Sequence, residues 1–136
     1  MKKSILVSGG TKGIGRAIVE RFAKEGFSVF TCSRNEQSLQ DLKQSLEQAH
    51  PGIFVYTQVA DLSKKEEVLS FAESVKALGI PDVIVHNTGV FLPGSLHEEA
   101  DGNLEFLMDT NLYSAYYLTR AFAKELIQRR SGHIFS

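Results

Sequence analysis

The stretch SGGTKGIGRA, residues 8–17, decides the fold. It holds four glycines and one threonine, directly after an apolar run and directly before a long amphipathic pattern. Without β-carbons the backbone turns sharply from strand to helix, and a ligand can approach it closely. The helix that follows brings unpaired N–H groups and a partial positive charge at its first turn, a seat for phosphate. The plainer alternative is a strand-to-helix turn that holds nothing.

Outward from this turn the chain alternates short β-branched or aromatic runs with longer amphipathic ones. SILVS (4–8) reads as a buried strand, and 13–25 as a helix striped by Ile14, Ile18 and Phe22. FSVFTC (27–32) is a second strand. Leu39, Leu42, Leu46 and Ala49 mark a helix that Pro51-Gly52 ends. IFVYTQV (53–59) is a third strand, followed by a helix striped by Val68, Phe71, Val75 and Leu78. DVIVHN (82–87) is a fourth, helical character runs over 103–130, and GHIFS opens a fifth. Strands that are apolar throughout and joined by helices predict a parallel sheet covered on both faces. Right-handed crossovers then give a doubly wound α/β fold of strand order 3-2-1-4-5, with helices on both faces.

The chain has 136 residues, 43% apolar and 23% charged, which fits one domain spanning 1–136. Its net charge of −1 gives no general attraction for nucleic acid or an acidic membrane. The apolar stretch in MKKSILVSGG is too short for a signal peptide, and no segment reaches membrane-spanning length. The lone Cys32 builds no disulfide framework. A cytoplasmic protein is expected. Cys32, His50, His97 and His133 lack metal-ligand spacing, so no metal site is expected.

Two ligand classes compete for the glycine turn. Gly10 to Gly15 has the spacing that begins a P-loop, but Arg16 and Ala17 stand where Lys and Ser or Thr are needed. The spacing is also not G-x-G-x-x-G but G-x-x-x-G-x-G. Ser8-Gly9-Gly10-Thr11-Lys12-Gly13-Ile14-Gly15 resembles the T-G-x-x-x-G-x-G fingerprint of the short-chain dehydrogenase/reductase family, with Ser for Thr. Ala60-Asp61-Leu62 resembles the family's acidic motif after strand 3. His86-Asn87-Thr88-Gly89 resembles its N-N-A-G, departing at His86 and Thr88. MDTNLYSAY (108–116) resembles its asparagine-bearing helix, and SGHIFS the approach to its fifth strand.

The resemblance implies a Rossmann-type domain that binds a nicotinamide cofactor. Its contacts would be Gly9, Thr11, Lys12, Gly13, Ile14 and Gly15 in the turn, and Asp61 and the Leu62 N–H at the adenine. Asn87, Thr88 and Gly89 would follow strand 4. It also implies that Asn111 helps to hold the water of a proton relay. Each has a plainer alternative: Asp61 as a helix N-cap, Asn111 as a surface or kink residue, His86 as a satisfied strand-end residue.

The end of strand 2 reads Cys32-Ser33-Arg34-Asn35, with no acid before Glu36 to accept from a ribose 2′-OH. Ser33 and the planar fork of Arg34 suit a 2′-phosphate instead. Lys12 resembles the second basic residue of NADP-preferring members. NADP(H) is favoured over NAD(H), the alternative being that both cations are merely solvated.

The family's chemistry rests on a Ser after strand 5 and a Tyr-x-x-x-Lys beyond it. Tyr56, Tyr113, Tyr116 and Tyr117 are followed four positions on by Ala60, Tyr117, Arg120 and Ala121. Ser136 comes too early to be that serine. The expectation is a short-chain oxidoreductase passing hydride between NADP(H) and a carbonyl or alcohol substrate, with its carboxy-terminal catalytic and substrate-binding part missing from these residues. The alternative is a non-catalytic dinucleotide-binding or sensor module. An uncovered HIFS edge and the stripe Leu112, Ala115, Thr119, Phe122 and Leu126 also lead to an expected homo-oligomer.

Overall fold

A computed structural model describes residues 2–136. In chain order it contains β1 (Ser4–Ser8), α1 (Gly13–Lys24), β2 (Ser28–Ser33), α2 (Glu36–Ala49) and β3 (Val55–Val59). These are followed by α3 (Lys65–Lys76), β4 (Val83–Val85), α4 (Asn103–Met108), α5 (Ser114–Arg129) and β5 (His133–Phe135). A π-helical turn, Asp109–Tyr113, joins α4 to α5 without a break. The five strands form one parallel sheet ordered β3-β2-β1-β4-β5, as the alternating pattern predicts.

The period-two alternation of the strands builds two cores. Leu6, Phe30 and Ile84 face Val68, Phe71 and Val75 of α3 and Leu118 and Phe122 of α5. Ile5, Val7 and Val29 face the other way, onto Val19 and Ala23 of α1 and Leu42 and Leu46 of α2. Both faces of the central strands are therefore dry, which is why their sequence shows no polar alternation. β5 is the exception: His133, Ile134 and Phe135 are all exposed at the sheet edge. Its approach is fixed by Arg129, which donates to the carbonyls of Pro81 at 2.6 Å and Ile80 at 3.1 Å.

Four apolar stripes differ from expectation. Ile14 is 75% exposed, and the buried face of α1 is Gly15, Val19 and Ala23. The smallest residue of the first turn faces the sheet because that turn lies against the end of β4. Leu78 falls beyond α3 and is exposed, as Ala49 is at the end of α2. On the last helix the π turn takes in an extra residue and rotates the faces that follow it. Leu112 is left exposed, while Ser114, Leu118, Phe122 and Leu126 line the buried side. Phe122 and Leu126 thus belong to the core and not to an interface.

His86, at the end of β4, donates its backbone N–H to Phe135 O at 2.8 Å and sets its Nε2 2.6 Å from Thr119 Oγ1 on α5. Burial holds its imidazole below the ordinary value of 6.5. A histidine depressed in the folded state supports the fold fully above the unfolded value. That support is lost as pH falls below it, because the unfolded chain takes up the proton first. Urea midpoints measured at stepwise lower pH should decline from about 6.5 downward, and His86→Asn should flatten that part of the slope. An unchanged slope in the variant would place the pH sensitivity elsewhere.

A β-carbon built on Gly15 would overlap the Gly9 carbonyl oxygen and the Asn87 side-chain amide. The Gly9 backbone and the Asn87 side chain must both move away from the helix start to admit it. Gly15→Ala is therefore expected to destabilise the chain by about 1–3 kcal/mol, the usual cost of overpacking a tight site, as read from denaturant unfolding.

Candidate functional site

The carboxyl ends of β1 to β4 open into one cleft of about 230 Å³ at the point where the strand order reverses. Its wall takes Gly9, Thr11 and Lys12 from the glycine turn, Ser33 and Arg34 from the end of β2, and Asp61 and Leu62 from the end of β3. Asn87, Thr88 and Gly89 come from the end of β4. Ten residues named from sequence thus meet in one place, contributed by four separate loops.

A small polar network holds these loops in register. Ser8 Oγ accepts from the backbone N–H groups of Asn87 and Thr88, both at 3.0 Å. Asn87 Nδ2 returns a hydrogen bond to Gly9 O at 3.0 Å. On the other side Thr31 Oγ1, fully buried, donates to Val7 O at 2.6 Å and accepts from Gly10 N at 3.0 Å. Gly9 N donates to Cys32 O at 3.1 Å. The turn is therefore tied to β2 and β4 alike. Serine in place of threonine at position 8 keeps the hydroxyl that makes two of these bonds.

Gly13 has a φ of +60° and would carry a β-carbon into open space, with nothing within 4 Å. The left-handed backbone there, rather than crowding, calls for glycine. Lys12 occupies the N-cap position of α1, and its side chain caps nothing. By contrast α2 is capped by Asn35, whose Oδ1 accepts from Ser38 N at 2.9 Å. The first-turn N–H groups of α1 stay unfilled by side chains beside an open glycine, which fits a phosphate group. Gly13, Ile14 and Gly15 do not line the cleft: Gly15 packs beneath it, and Ile14 projects outward.

The charges are arranged by sign. Neither Lys12 nor Arg34 has an ion-pair partner among the described residues. Asp61 Oδ1 accepts from Ser63 Oγ at 2.7 Å and Ser63 N at 3.0 Å. Partial burial pushes its carboxyl up, but the Ser63 hydrogen bonds and the Arg34 and Lys64 charges outweigh it and hold it below the usual carboxylate range. Asp61 is not a helix N-cap: that position of α3 belongs to Lys64. Burial pushes the Cys32 thiol up to about 12, against a smaller lowering by the Gly9 backbone hydrogen bond, so the sulfur stays neutral.

Asn111 lies in the π turn and outside the cleft wall. Its Oδ1 accepts from Val90 N at 2.7 Å and its Nδ2 donates to Val90 O at 2.9 Å. Both polar ends of the side chain are thus engaged with the backbone of the loop after β4. Cys32, Ala60, Val90, Phe106 and Thr110 also line the cleft and were not named from the sequence as site residues. Phe106 and Thr110 stand four apart on the helix that carries Asn111, a spacing that puts them on one face. Among the described residues no group of three or more His, Cys, Asp or Glu gathers as a metal site would need. No helix among them is long and apolar enough to cross a membrane.

The family model described as short chain dehydrogenase matches residues 3–136. A tropinone reductase homologue from Arabidopsis thaliana is 36% identical over 131 residues, covering 95% of this chain and 48% of the relative. A metagenomic short-chain oxidoreductase solved in complex with NADP superposes with a TM-score of 0.90 at 31% identity, over 97% of this chain and 59% of that one. L-sorbose reductase from Gluconobacter frateurii, solved with NADPH and L-sorbose, gives a TM-score of 0.91 at 29% identity, over 98% of this chain and 51% of that one. The chain spans about half the length of the curated relatives it matches. Glycine turn, sheet order and family model agree, and the chain belongs to the short-chain dehydrogenase family of oxidoreductases.

Proposed function

We propose that these residues are the cofactor-binding part of a short-chain oxidoreductase that takes NADP(H) in preference to NAD(H) and acts on a carbonyl or alcohol substrate. The observation that carries the preference is the end of β2. Ser33 and Arg34 line the cleft there, Lys12 faces it from the glycine turn, and the strand end contributes no carboxylate. A guanidinium and an ammonium without ion-pair partners suit a 2′-phosphate, whereas a ribose 2′-OH calls for a carboxylate. The solved relatives with bound NADP or NADPH support the same reading.

The remaining roles follow from position. Gly13 and the open first turn of α1 receive the pyrophosphate, and Asp61 and the Leu62 N–H receive the adenine. The nicotinamide supplies or takes up the hydride when bound. Asn111 acts on the cofactor wall through Val90, whose backbone it fixes at both N–H and carbonyl. Leu112, Tyr113 and Tyr116, exposed on the outer side of the π turn and α5, are where copies of the chain would meet in a homo-oligomer.

Arg34→Ala tests the cofactor preference. NADPH binding should weaken by about 1.5–3 kcal/mol, the worth of a hydrogen bond to a charged group, or about tenfold to a hundredfold. NADH binding should change little. Fluorescence titration of both cofactors measures this, and equal losses would mean that Arg34 does not read the phosphate.

Proton transfer sets the second expectation. Reducing a carbonyl requires a proton donor at the developing alkoxide, worth about 10²–10⁴ in rate, and none of the four tyrosines here has a lysine four positions on. The 136 residues alone should bind NADPH yet oxidise it at background rate with a panel of ketones and aldehydes. Turnover above background by the mass-verified chain would reveal a different acid within these residues.

A further inference from the structure

The helical run from α4 through α5 holds both ends of the segment that walls the cleft on the β4 side. Asn87, Thr88, Gly89 and Val90 of that segment line the cleft. At its far end Asn111, in the π turn, bonds both backbone groups of Val90. At its near end His86, just outside the cleft wall, sets its Nε2 2.6 Å from Thr119 Oγ1 on α5. Helical serines elsewhere return their hydroxyls to the carbonyl four residues back, Ser74 at 3.0 Å and Ser114 at 2.6 Å. Among the described residues Thr119 Oγ1 has the imidazole as its one partner, so its proton is directed to Nε2.

The ring sits where a positive charge has no counterpart. One turn from Thr119 on α5 stand Ala115, Tyr116, Phe122 and Ala123. Of these only Tyr116 titrates, and it is 56% exposed and accepts from Arg120 at 3.4 Å. On α3, Lys65 lies over the Tyr117 ring and Lys76 pairs with Glu125. On β5, His133 lies opposite Val83, three residues back along β4, and Phe135 offers His86 its backbone carbonyl. On β1, Ser8 Oγ accepts from Asn87 and Thr88. None of these elements sets a carboxylate against the ring, and burial alone lowers its affinity for a proton.

We propose that His86 and Thr119 form a positioning pair for the cofactor wall: the neutral imidazole, held by the Thr119 hydroxyl, keeps Asn87, Thr88 and Gly89 in place for the dinucleotide, and protonation of the ring releases them. This rests on the dinucleotide reading above and adds regulation of that site by pH. A protonated ring carries a hydrogen on each nitrogen, so Nε2 no longer accepts from Thr119. The uncompensated charge draws the ring toward water. The strand end that moves with it carries Asn87, whose amide holds the Gly9 carbonyl. Since the bound form needs the neutral ring, affinity falls as pH drops through the imidazole's value in the free protein, which lies below the ordinary 6.5.

Calorimetric binding of NADP⁺, and of NAD⁺, which has no titrating 2′-phosphate, is measured from about pH 8 to about pH 5. The proteins are the parent, His86→Asn, Thr119→Val and Thr119→Ser, with near-UV circular dichroism to show that each stays folded. Across this range the parent's affinity for both ligands should fall about threefold or more beyond any fall in His86→Asn. At the upper pH Thr119→Val should bind about threefold to tenfold more weakly than the parent, the range of one neutral hydrogen bond. Thr119→Ser should stay within about twofold of the parent. A merely structural role would lower melting temperatures and leave the pH profiles of binding parallel. Parallel profiles for the parent and His86→Asn, or parent-like binding by Thr119→Val, overturn the assignment while leaving the dinucleotide site standing. Should His86→Asn not fold, the parent's NAD⁺ profile decides: a fall toward acid upholds the pairing, and a flat line overturns it. A parent that binds neither dinucleotide at the upper pH overturns both readings.

Discussion

The hydroxyl of Ser8 is where this architecture closes. It accepts from two successive N–H groups, Asn87 and Thr88, and so fixes the end of β4 against the end of β1. Everything at the cleft is referenced to that joint. Asn87, once placed, bonds to the Gly9 carbonyl, and Gly15 lies against both. The start of α1 is thereby positioned from β4, a strand far away in sequence, as well as from β1, which it follows. A helix N-terminus is a useful anion seat only if its N–H groups stay put, and here the Ser8 hydroxyl, the Asn87 amide and the pairing of β1 with β4 together hold them against the opposite wall.

The cleft also carries an orientation. Lys12 and Arg34 put positive charge on the side of β1 and β2, while Asp61 keeps negative charge at the end of β3. A ligand with phosphates at one point and an amine-bearing base at another fits this pattern in one direction. Reversing it would set phosphate against carboxylate, a like-charge contact that opposes binding. The asymmetry is local, since the net charge of the whole chain is only −1.

Sheet order and the main wall of the cleft were legible in the sequence because both follow from local rules. Central strands buried on two faces read as unbroken apolar runs, and ligand loops follow their carboxyl ends. The features that were not legible depend on pairings between distant segments. The π turn accompanies the grip of Asn111 on Val90, 21 residues earlier. The outward turn of Ile14 depends on Gly15 meeting Asn87. The tie between His86 and Thr119 joins a strand end to a helix face 33 positions later. No periodicity within one segment encodes such contacts.

The joint between β1 and β4 has a consequence for how the chain comes into being. Gly9 and Asn87 are 78 positions apart, and the glycine turn has its far wall only when both are present. During synthesis, β1, α1 and β2 emerge first and can pair, but the turn they carry remains one-sided. Closing a loop of that length costs entropy before any contact rewards it. The glycine turn of the nascent protein is therefore walled on both sides only late, when the fourth strand arrives and pairs with the first.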